Sequence, residues 1–193
     1  GCWERSASST AIIREGRKFA EAHPDCAFLS FTNATLIDEE FVQDMIRVAN
    51  FVPAISVEGF EEATDSRRGN GTYQKVVHSM NLLKSHRLPF GISTCYTSVN
   101  YKDITSEEFY NKIIDLGAYF IWFFHYMPVG LNADTSLLLT PEQRTYMKDR
   151  VREIRGVTGG KELYCIDSIS ATLYGVMDAF SFTPMPSSRS ARA

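Results

Sequence analysis

Short apolar runs alternate with longer amphipathic segments along residues 25–155. The short runs have the length of strands, whereas apolar positions in the longer segments recur at the 3.6-residue period of a helix. Repeated strand-helix units of this kind predict a parallel β-sheet. The predicted strands are 26–31, 54–57 (directly after Pro53), 90–95, 119–124 and 162–166, and the predicted helices are 38–50, 72–84, 105–117 and one that begins at 140.

Capping residues mark where these helices begin and end. Asp38 and Thr72 stand at the first residues of two helices, where a side-chain oxygen can accept from free backbone amides. Segments 105–108 and 140–143 have the spacing of a capping box. Gly117 predicts a left-handed helix end, because glycine adopts that conformation without steric cost.

The composition predicts one globular domain, with 44% hydrophobic and 22% charged residues. The net charge of -3 offers no positive field for a nucleic acid or an anionic membrane. The longest apolar run, 118–129, is too short for a membrane-spanning helix, and residues 1–10 lack the apolar stretch of a signal peptide. We therefore expect a cytoplasmic protein with neither nucleic-acid nor membrane partners.

The cysteines and histidines form no local metal motif. Cysteines occur at positions 2, 26, 95 and 165, too far apart for a C-x-x-C pair, which predicts reduced thiols. The four histidines share no ligand spacing. His125, at the end of the fourth predicted strand, is either a general acid or base or a buried core residue.

Small polar residues follow the predicted strands. They lie at 32–33, 58–59, 97–100 and 126–130. Ligands bind at the carboxyl ends of the strands in parallel sheets and barrels, so these segments are candidates for contact with a small polar molecule. The other interpretation is that they are ordinary turn and cap residues.

The polar stretch 58–70 predicts a loop that leads into a second candidate site. Gly69 and Gly71 precede a predicted helix, whose first amides could receive a phosphate or carboxylate, and Arg67 and Arg68 lie beside them. A non-radical α/β protein that binds a phosphorylated or nucleotide ligand is therefore an alternative. A plain flexible turn is the simpler explanation for two glycines.

Five ordered strings carry a more specific signal than the periodicity. They are 29–38 (LSFTNATLID), 54–59 (AISVEG), 68–73 (RGNGTY), 91–100 (GISTCYTSVN) and 126–130 (YMPVG). Together they resemble four strand-end segments and, at 68–73, an Arg-Gly-x-Gly-x-aromatic turn of the radical S-adenosylmethionine (radical SAM) superfamily, especially members with a C-terminal auxiliary-cluster (SPASM-like) extension. The resemblance covers about residues 25–167.

The resemblance implies a partial parallel (β/α) barrel, a 4Fe-4S cluster, S-adenosylmethionine as cofactor, and a small-molecule or peptide substrate. In that family the cofactors carry the difficult chemistry and the protein positions them. The residues expected by resemblance to contact the cofactor are Thr32, Asn33, Ser56, Glu58, Gly59, Ser93, Thr94, Asn100 and Pro128.

Two departures from the family pattern concern the cluster and the contact that the family makes with the methionyl amine of S-adenosylmethionine. The chain contains no C-x-x-x-C-x-x-C motif; Cys2 resembles that motif's last cysteine. The segment up to residue 27 also lacks a Gly-Gly-Glu triplet. We therefore expect an incomplete domain that is inactive alone. Residues 1–24 would be a remnant of the cluster loop and its helix, 25–167 the central domain, and 168–193 a disordered or unrelated tail.

A third interpretation is a structural or regulatory remnant whose exposed barrel edges pair with another chain.

Overall fold

The computed structural model describes residues 9–129, 133–158 and 163–167, so Cys2 and the predicted tail 168–193 lie outside the described residues. The described part alternates strands with helices. The strands are β1 (Phe28–Thr32), β2 (Phe51–Ser56), β3 (Gly91–Tyr96), β4 (Phe120–His125) and β5 (Tyr164–Asp167). The helices are α1 (Ser9–Ala22), α2 (Glu39–Val48), α3 (Glu61–Arg68), α4 (Thr72–Ser85), α5 (Glu107–Leu116) and α6 (Pro141–Thr158).

All five strands are parallel, and they lie in the order β1-β2-β3-β4-β5. The α/β class and the parallel sheet predicted from the sequence are confirmed. A strand-helix-strand connection places each new strand beside the previous one, because the helix must pack back onto the sheet. Because the strands are parallel, the carboxyl ends of all five lie at one edge of the sheet.

One face of the sheet forms the main core with the helices. Alternate strand residues such as Ile55, Ile92 and Ile121 share a register and are fully buried. They belong to one apolar cluster with residues of the surrounding helices, including Met80 and Ile113. Burial of a large aliphatic side chain contributes about 1.5–3 kcal/mol, so this face supplies much of the stability.

The opposite face is open in the described residues and carries small side chains at its centre. Ala54 of β2 pairs with Gly91 of β3, and Ser56 pairs with Ser93. A Cβ atom on Gly91 would overlap the ring of Phe120, which lies beside it in register on β4. Glycine at this position avoids that overlap.

The predicted start of β2 at residue 54 and the predicted loop at 58–70 are both wrong. Pro53 lies inside β2, but β3 pairs only from Ala54 onward, so the missing N–H of Pro53 interrupts no bond to β3. The predicted loop 58–70 contains helix α3 (Glu61–Arg68). That helix has two glutamates in its first turn and two arginines in its last, which complements its dipole.

The helix caps were partly predicted. Asp38 accepts from the Phe41 amide, and Gly117 ends α5 in the left-handed conformation. Thr140 and Gln143 form the expected reciprocal capping box. The first cap of α5 is Ser106 rather than Thr105, which lies inside a short 3-10 turn.

Thr72 does not cap α4. The carboxylate of Asp65, in the preceding helix, accepts from the Gly71 amide at 2.7 Å and from the Tyr73 amide at 2.8 Å. A side chain from a neighbouring helix has taken the place of a local cap. Among the described helices, none has the length and apolarity needed to span a membrane.

Candidate functional site

Glu58, directly after β2, is the centre of a polar cluster at the carboxyl edge of the sheet. Its side chain is 2% exposed. Oε2 accepts from Nη1 of Arg67 at 2.8 Å and from the amide of Cys95 at 3.2 Å, while Oε1 accepts from Nε and Nη2 of Arg68. A carboxylate has about four acceptor positions, so this one is saturated by the protein itself.

The two arginines give the cluster one positive charge more than it has negative charge. Both come from the last turn of α3, whose first turn follows Gly59 closely. Partial burial is the largest single effect on the pKa of Arg67 and lowers it, but the Glu58 carboxylate and the Cys95 side chain together outweigh burial and raise the pKa above its usual value. Arg67 is 44% exposed and Arg68 27% exposed, so the surplus charge lies at the surface of the site.

Asn100 joins the ends of β2 and β3. Its Nδ2 donates to the carbonyl of Glu58 at 2.9 Å and to the carbonyl of Cys95 at 3.1 Å. Its Oδ1 accepts from the amide and the hydroxyl of Thr97 at 2.7 and 3.0 Å. All four hydrogen-bonding positions of the amide are therefore occupied by protein atoms.

Ser56 and Ser93 are paired in register and share the open face of the sheet. Both are partly exposed, and among the described residues neither hydroxyl has a hydrogen-bond partner. Cys95, two residues beyond Ser93 on the same face, is a partly exposed free thiol. This face can therefore offer two hydroxyls to a ligand, whereas the Cys95 side chain interacts with the Arg67 guanidinium.

Thr94 lies on the other face, because successive residues of a strand alternate. It shares its register with the buried Phe123, and its hydroxyl is buried with no partner in the described part of the chain. The tertiary structure thus separates Thr94 from the two serines with which the sequence grouped it.

The segment after β1 forms a tight turn. The hydroxyl of Thr32 accepts from the Ala34 amide at 3.1 Å, and Oδ1 of Asn33 accepts from the amide and hydroxyl of Thr35. Ala34 has a φ of 59°, a conformation that favours glycine. These local bonds agree with the interpretation of Thr32 and Asn33 as turn residues.

Two other expected site residues lie in loops at the same edge. Gly59 is buried with a φ of 134°, and a Cβ there would approach Ala63 at 3.3 Å, so the turn into α3 favours glycine. Pro128 is half-buried in the loop that follows β4. His125 lies at the end of β4, in register with Tyr96 and with ring centroids 5.3 Å apart.

An aromatic cluster on the open face was missed in the sequence. The ring of Phe31 contacts Trp122 and Phe124 edge-on, at centroid distances of 5.7 and 5.4 Å. Trp122 and Phe124 stack on each other at 5.3 Å. The sequence signal is the recurrence of aromatic residues at alternate positions of β4, which the prediction of a strand at 119–124 does not by itself use.

The phosphate site proposed at the start of α4 is already occupied by the chain. The amides of Gly71 and Tyr73 donate to Asp65, and both neighbouring arginines bind Glu58. An incoming anion would have to displace a carboxylate, so this helix end is a poor anion site.

The described cysteines do not converge. Cys26 lies in the bend before β1, not on the predicted strand, Cys95 lies on β3, and Cys165 is buried on β5. Within the ranges that the structure describes, no group of three or more histidine, cysteine or acidic side chains could hold a metal ion.

The fold is similar to that of several solved structures. Native anSMEcpe with bound AdoMet and Kp18Cys peptide superimposes with a TM-score of 0.66 at 19% identity, over 89% of this chain and 50% of that chain. Streptococcus suis SuiB gives a TM-score of 0.66 at 14% identity, over 79% of this chain and 35% of that chain. The structure of SuiB bound to precursor peptide SuiA gives a TM-score of 0.59 at 13% identity, over 83% of this chain and 37% of that chain.

This chain therefore spans half the length or less of these structures, and at such identities the likeness concerns the fold. No protein-family model matches the sequence, and no curated protein matches it.

Proposed function

We propose that this chain is the central part of a radical SAM domain and binds S-adenosylmethionine at the carboxyl ends of β2 and β3. The structural neighbours anSMEcpe and SuiB are radical SAM enzymes, and the anSMEcpe structure contains AdoMet. Four of the five strings that resemble this superfamily lie at the carboxyl ends of β1, β2, β3 and β4, and the fifth, 68–73, contains Arg68 of the Glu58 cluster. The proposal therefore rests on the fold together with the position of these residues.

The observation that carries the proposal is the Ser56–Ser93 pair. Within the described part of the chain these two hydroxyls have no hydrogen-bond partner, and they share the open face beside a cluster with one surplus positive charge. S-adenosylmethionine carries ribose hydroxyls, an amine and a carboxylate, which need hydrogen-bonding partners of this kind. We assign direct contact to Ser56 and Ser93. Thr32, Asn33, Gly59 and Pro128 would shape the surrounding loops.

The cysteines of this chain would not by themselves hold a 4Fe-4S cluster. A cubane in this family needs three thiolates in one loop, whereas Cys26, Cys95 and Cys165 lie on separate elements. By resemblance Cys2 would be one ligand, and the other thiolates would come from outside these 193 residues. We therefore derive no radical step for this chain. By resemblance, a SPASM-like extension would follow the central domain in the complete protein.

A peptide is the substrate class that we propose for the complete protein. The two neighbours anSMEcpe and SuiB include complexes with the Kp18Cys peptide and the precursor peptide SuiA. In this chain, large apolar side chains are exposed in the loops at the carboxyl edge: Leu36, Val99, Met127 and Val129. Selection from a random peptide library on this chain should enrich apolar sequences, and the Val99→Asp, Met127→Asp variant should not retain them. Equal retention would contradict the proposal.

Calorimetric titration with S-adenosylmethionine and S-adenosylhomocysteine tests cofactor binding directly. We expect binding by the wild-type chain and at least tenfold weaker binding by the Ser56→Ala, Ser93→Ala variant, because both hydroxyl partners are lost. Ser85→Ala, at the exposed end of α4, is the matched control and should bind like wild type. Absence of binding by a folded wild-type chain would reject the proposal.

A further inference from the structure

The backbone ladder between β2 and β3 ends at the proposed ligand-binding pair. Ser56 and Ser93 are the last residues paired in register, and the amide of Val57 donates to the carbonyl of Ser93 at 2.9 Å. After this bond the two chains diverge, β2 into the turn before α3 and β3 toward the loop before α5. Strand ends that diverge into loops lose ladder bonds and tend to fray.

Side chains continue the ladder beyond this point. The amide of Cys95 donates to the carboxylate of Glu58 at 3.2 Å. The Asn100 amide group then donates to the carbonyls of both Glu58 and Cys95, one from each strand end. Three side-chain bonds thus connect the two segments where the backbone connects them no longer.

The chemistry at position 100 requires a carboxamide. Nδ2 supplies the two donors to the strand carbonyls, and Oδ1 supplies the two acceptor positions used by Thr97. An aspartate would bring a carboxylate against two carbonyl oxygens, and a serine could not reach all four partners. Asn100 is 7% exposed and Glu58 2% exposed, and both have their polar atoms saturated by the protein.

We infer that Asn100 and Glu58 are positioning residues: they pin the ends of β2 and β3 and so set the spacing of the Ser56 and Ser93 hydroxyls, without touching the ligand. The ligand part of this inference rests on the proposed function. The pinning of the strand ends does not, because it can be measured in the free protein.

A double-mutant cycle separates positioning from direct contact. In the full chain, Asn100→Asp should weaken binding of S-adenosylhomocysteine at least tenfold. In the Ser56→Ala, Ser93→Ala background the same substitution should change the dissociation constant less than twofold, because no hydroxyl pair remains to be positioned. Equal factors in both backgrounds would mean that Asn100 contacts the ligand itself, and would overturn the inference.

Hydrogen exchange supplies the readout without ligand. Asn100→Asp should accelerate exchange of the Val57 and Cys95 amides at least tenfold. Asn50→Asp is the matched control: Nδ2 of Asn50 also bridges two carbonyls, those of Ala20 and His23, but at the opposite end of β2. That variant should leave the Val57 and Cys95 amides protected. If Asn100→Asp does not fold, Thr97→Val takes its place, because it removes one partner of Asn100. This variant should accelerate exchange of the Val57 and Cys95 amides to an intermediate degree.

The two failures are distinguishable. If the wild-type chain binds no S-adenosylhomocysteine, the proposed function fails. Hydrogen exchange of the Val57 and Cys95 amides then decides by itself whether Asn100 holds the ends of β2 and β3 together. If exchange at Val57 and Cys95 is the same in the Asn100→Asp and Asn50→Asp variants, the positioning role is rejected whatever the ligand does.

Discussion

The ring of Phe31 on β1 packs edge-on against the indole of Trp122 on β4, with centroids 5.7 Å apart, although two strands lie between them. In a flat sheet strands three positions apart would be separated by about 14 Å. The contact therefore requires a sheet that curves toward its open face, with small residues on the intervening strands. Ala54 and Gly91 are such residues, in register with each other.

Removing Phe31 should expose the indole of Trp122. We expect Phe31→Ala to shift the emission of Trp122 to longer wavelength, and to lower the free energy of unfolding by about 1 kcal/mol, since half of the ring is already exposed. The measurement uses a Trp3→Phe background, because the chain has two tryptophans. An unchanged emission maximum would contradict the Phe31–Trp122 contact.

Gly91→Ala should destabilise the sheet, because the new Cβ would overlap the ring of Phe120. Overpacking of this kind lowers the free energy of unfolding by about 1–3 kcal/mol. Urea denaturation measures the loss. Adding Phe120→Leu to Gly91→Ala should recover part of the lost free energy of unfolding. Additive losses in this double variant would show that the Phe120 ring does not cause the destabilisation.

The contacts of the buried Glu58 carboxylate predict which of its two arginine partners contributes more to stability. Arg68 donates two bonds to it and is 27% exposed, whereas Arg67 donates one and is 44% exposed. Leaving a buried charge underpaired is expensive, so Arg68→Gln should destabilise the fold more than Arg67→Gln. Thermal unfolding of both variants at one pH tests the order, and a greater loss for Arg67→Gln would refute it.

Asp65→Ala should destabilise α4, because two amides at its first turn lose their acceptor. Loss of a side-chain cap lowers the free energy of unfolding by about 1–2 kcal/mol. Glu62→Ala, exposed in the first turn of the same helix α3, is the control and should have a smaller effect. Chemical denaturation compares the two, and equal losses would argue against the cap.

Tyr110 predicts how stability changes at alkaline pH. The pKa of the Tyr110 phenol is raised well above the usual value, mainly by burial and next by the neighbouring Cys165. Because the folded state holds the proton more tightly than the unfolded state, this contribution is complete below about pH 10 and is lost as the pH rises further. Tyr110→Phe should therefore reduce the loss of stability between about pH 9.5 and 11. Denaturation curves across this range are the measurement, and identical slopes would contradict it.

The sequence alone determined the features that depend on neighbours a few residues apart. Strand and helix periods, the caps at Asp38 and Thr140, and the glycine at 117 all follow from bonds within one turn, so their signals are local. The same locality explains the errors. Asp65 caps α4 from another helix, and no rule about residues near Thr72 could reveal it.

Only the tertiary structure decided which candidate residues share a site. The sequence placed Ser93, Thr94 and Asn100 together at the end of one strand. Strand alternation then put Thr94 on the buried face, and the parallel register brought Ser93 beside Ser56. Nδ2 of Asn100 donates to carbonyls 5 and 42 residues away. The pairing of particular residues on strands far apart in the chain, and the curvature of the sheet, arise from packing of the whole sheet, so the pattern within one strand does not fix them.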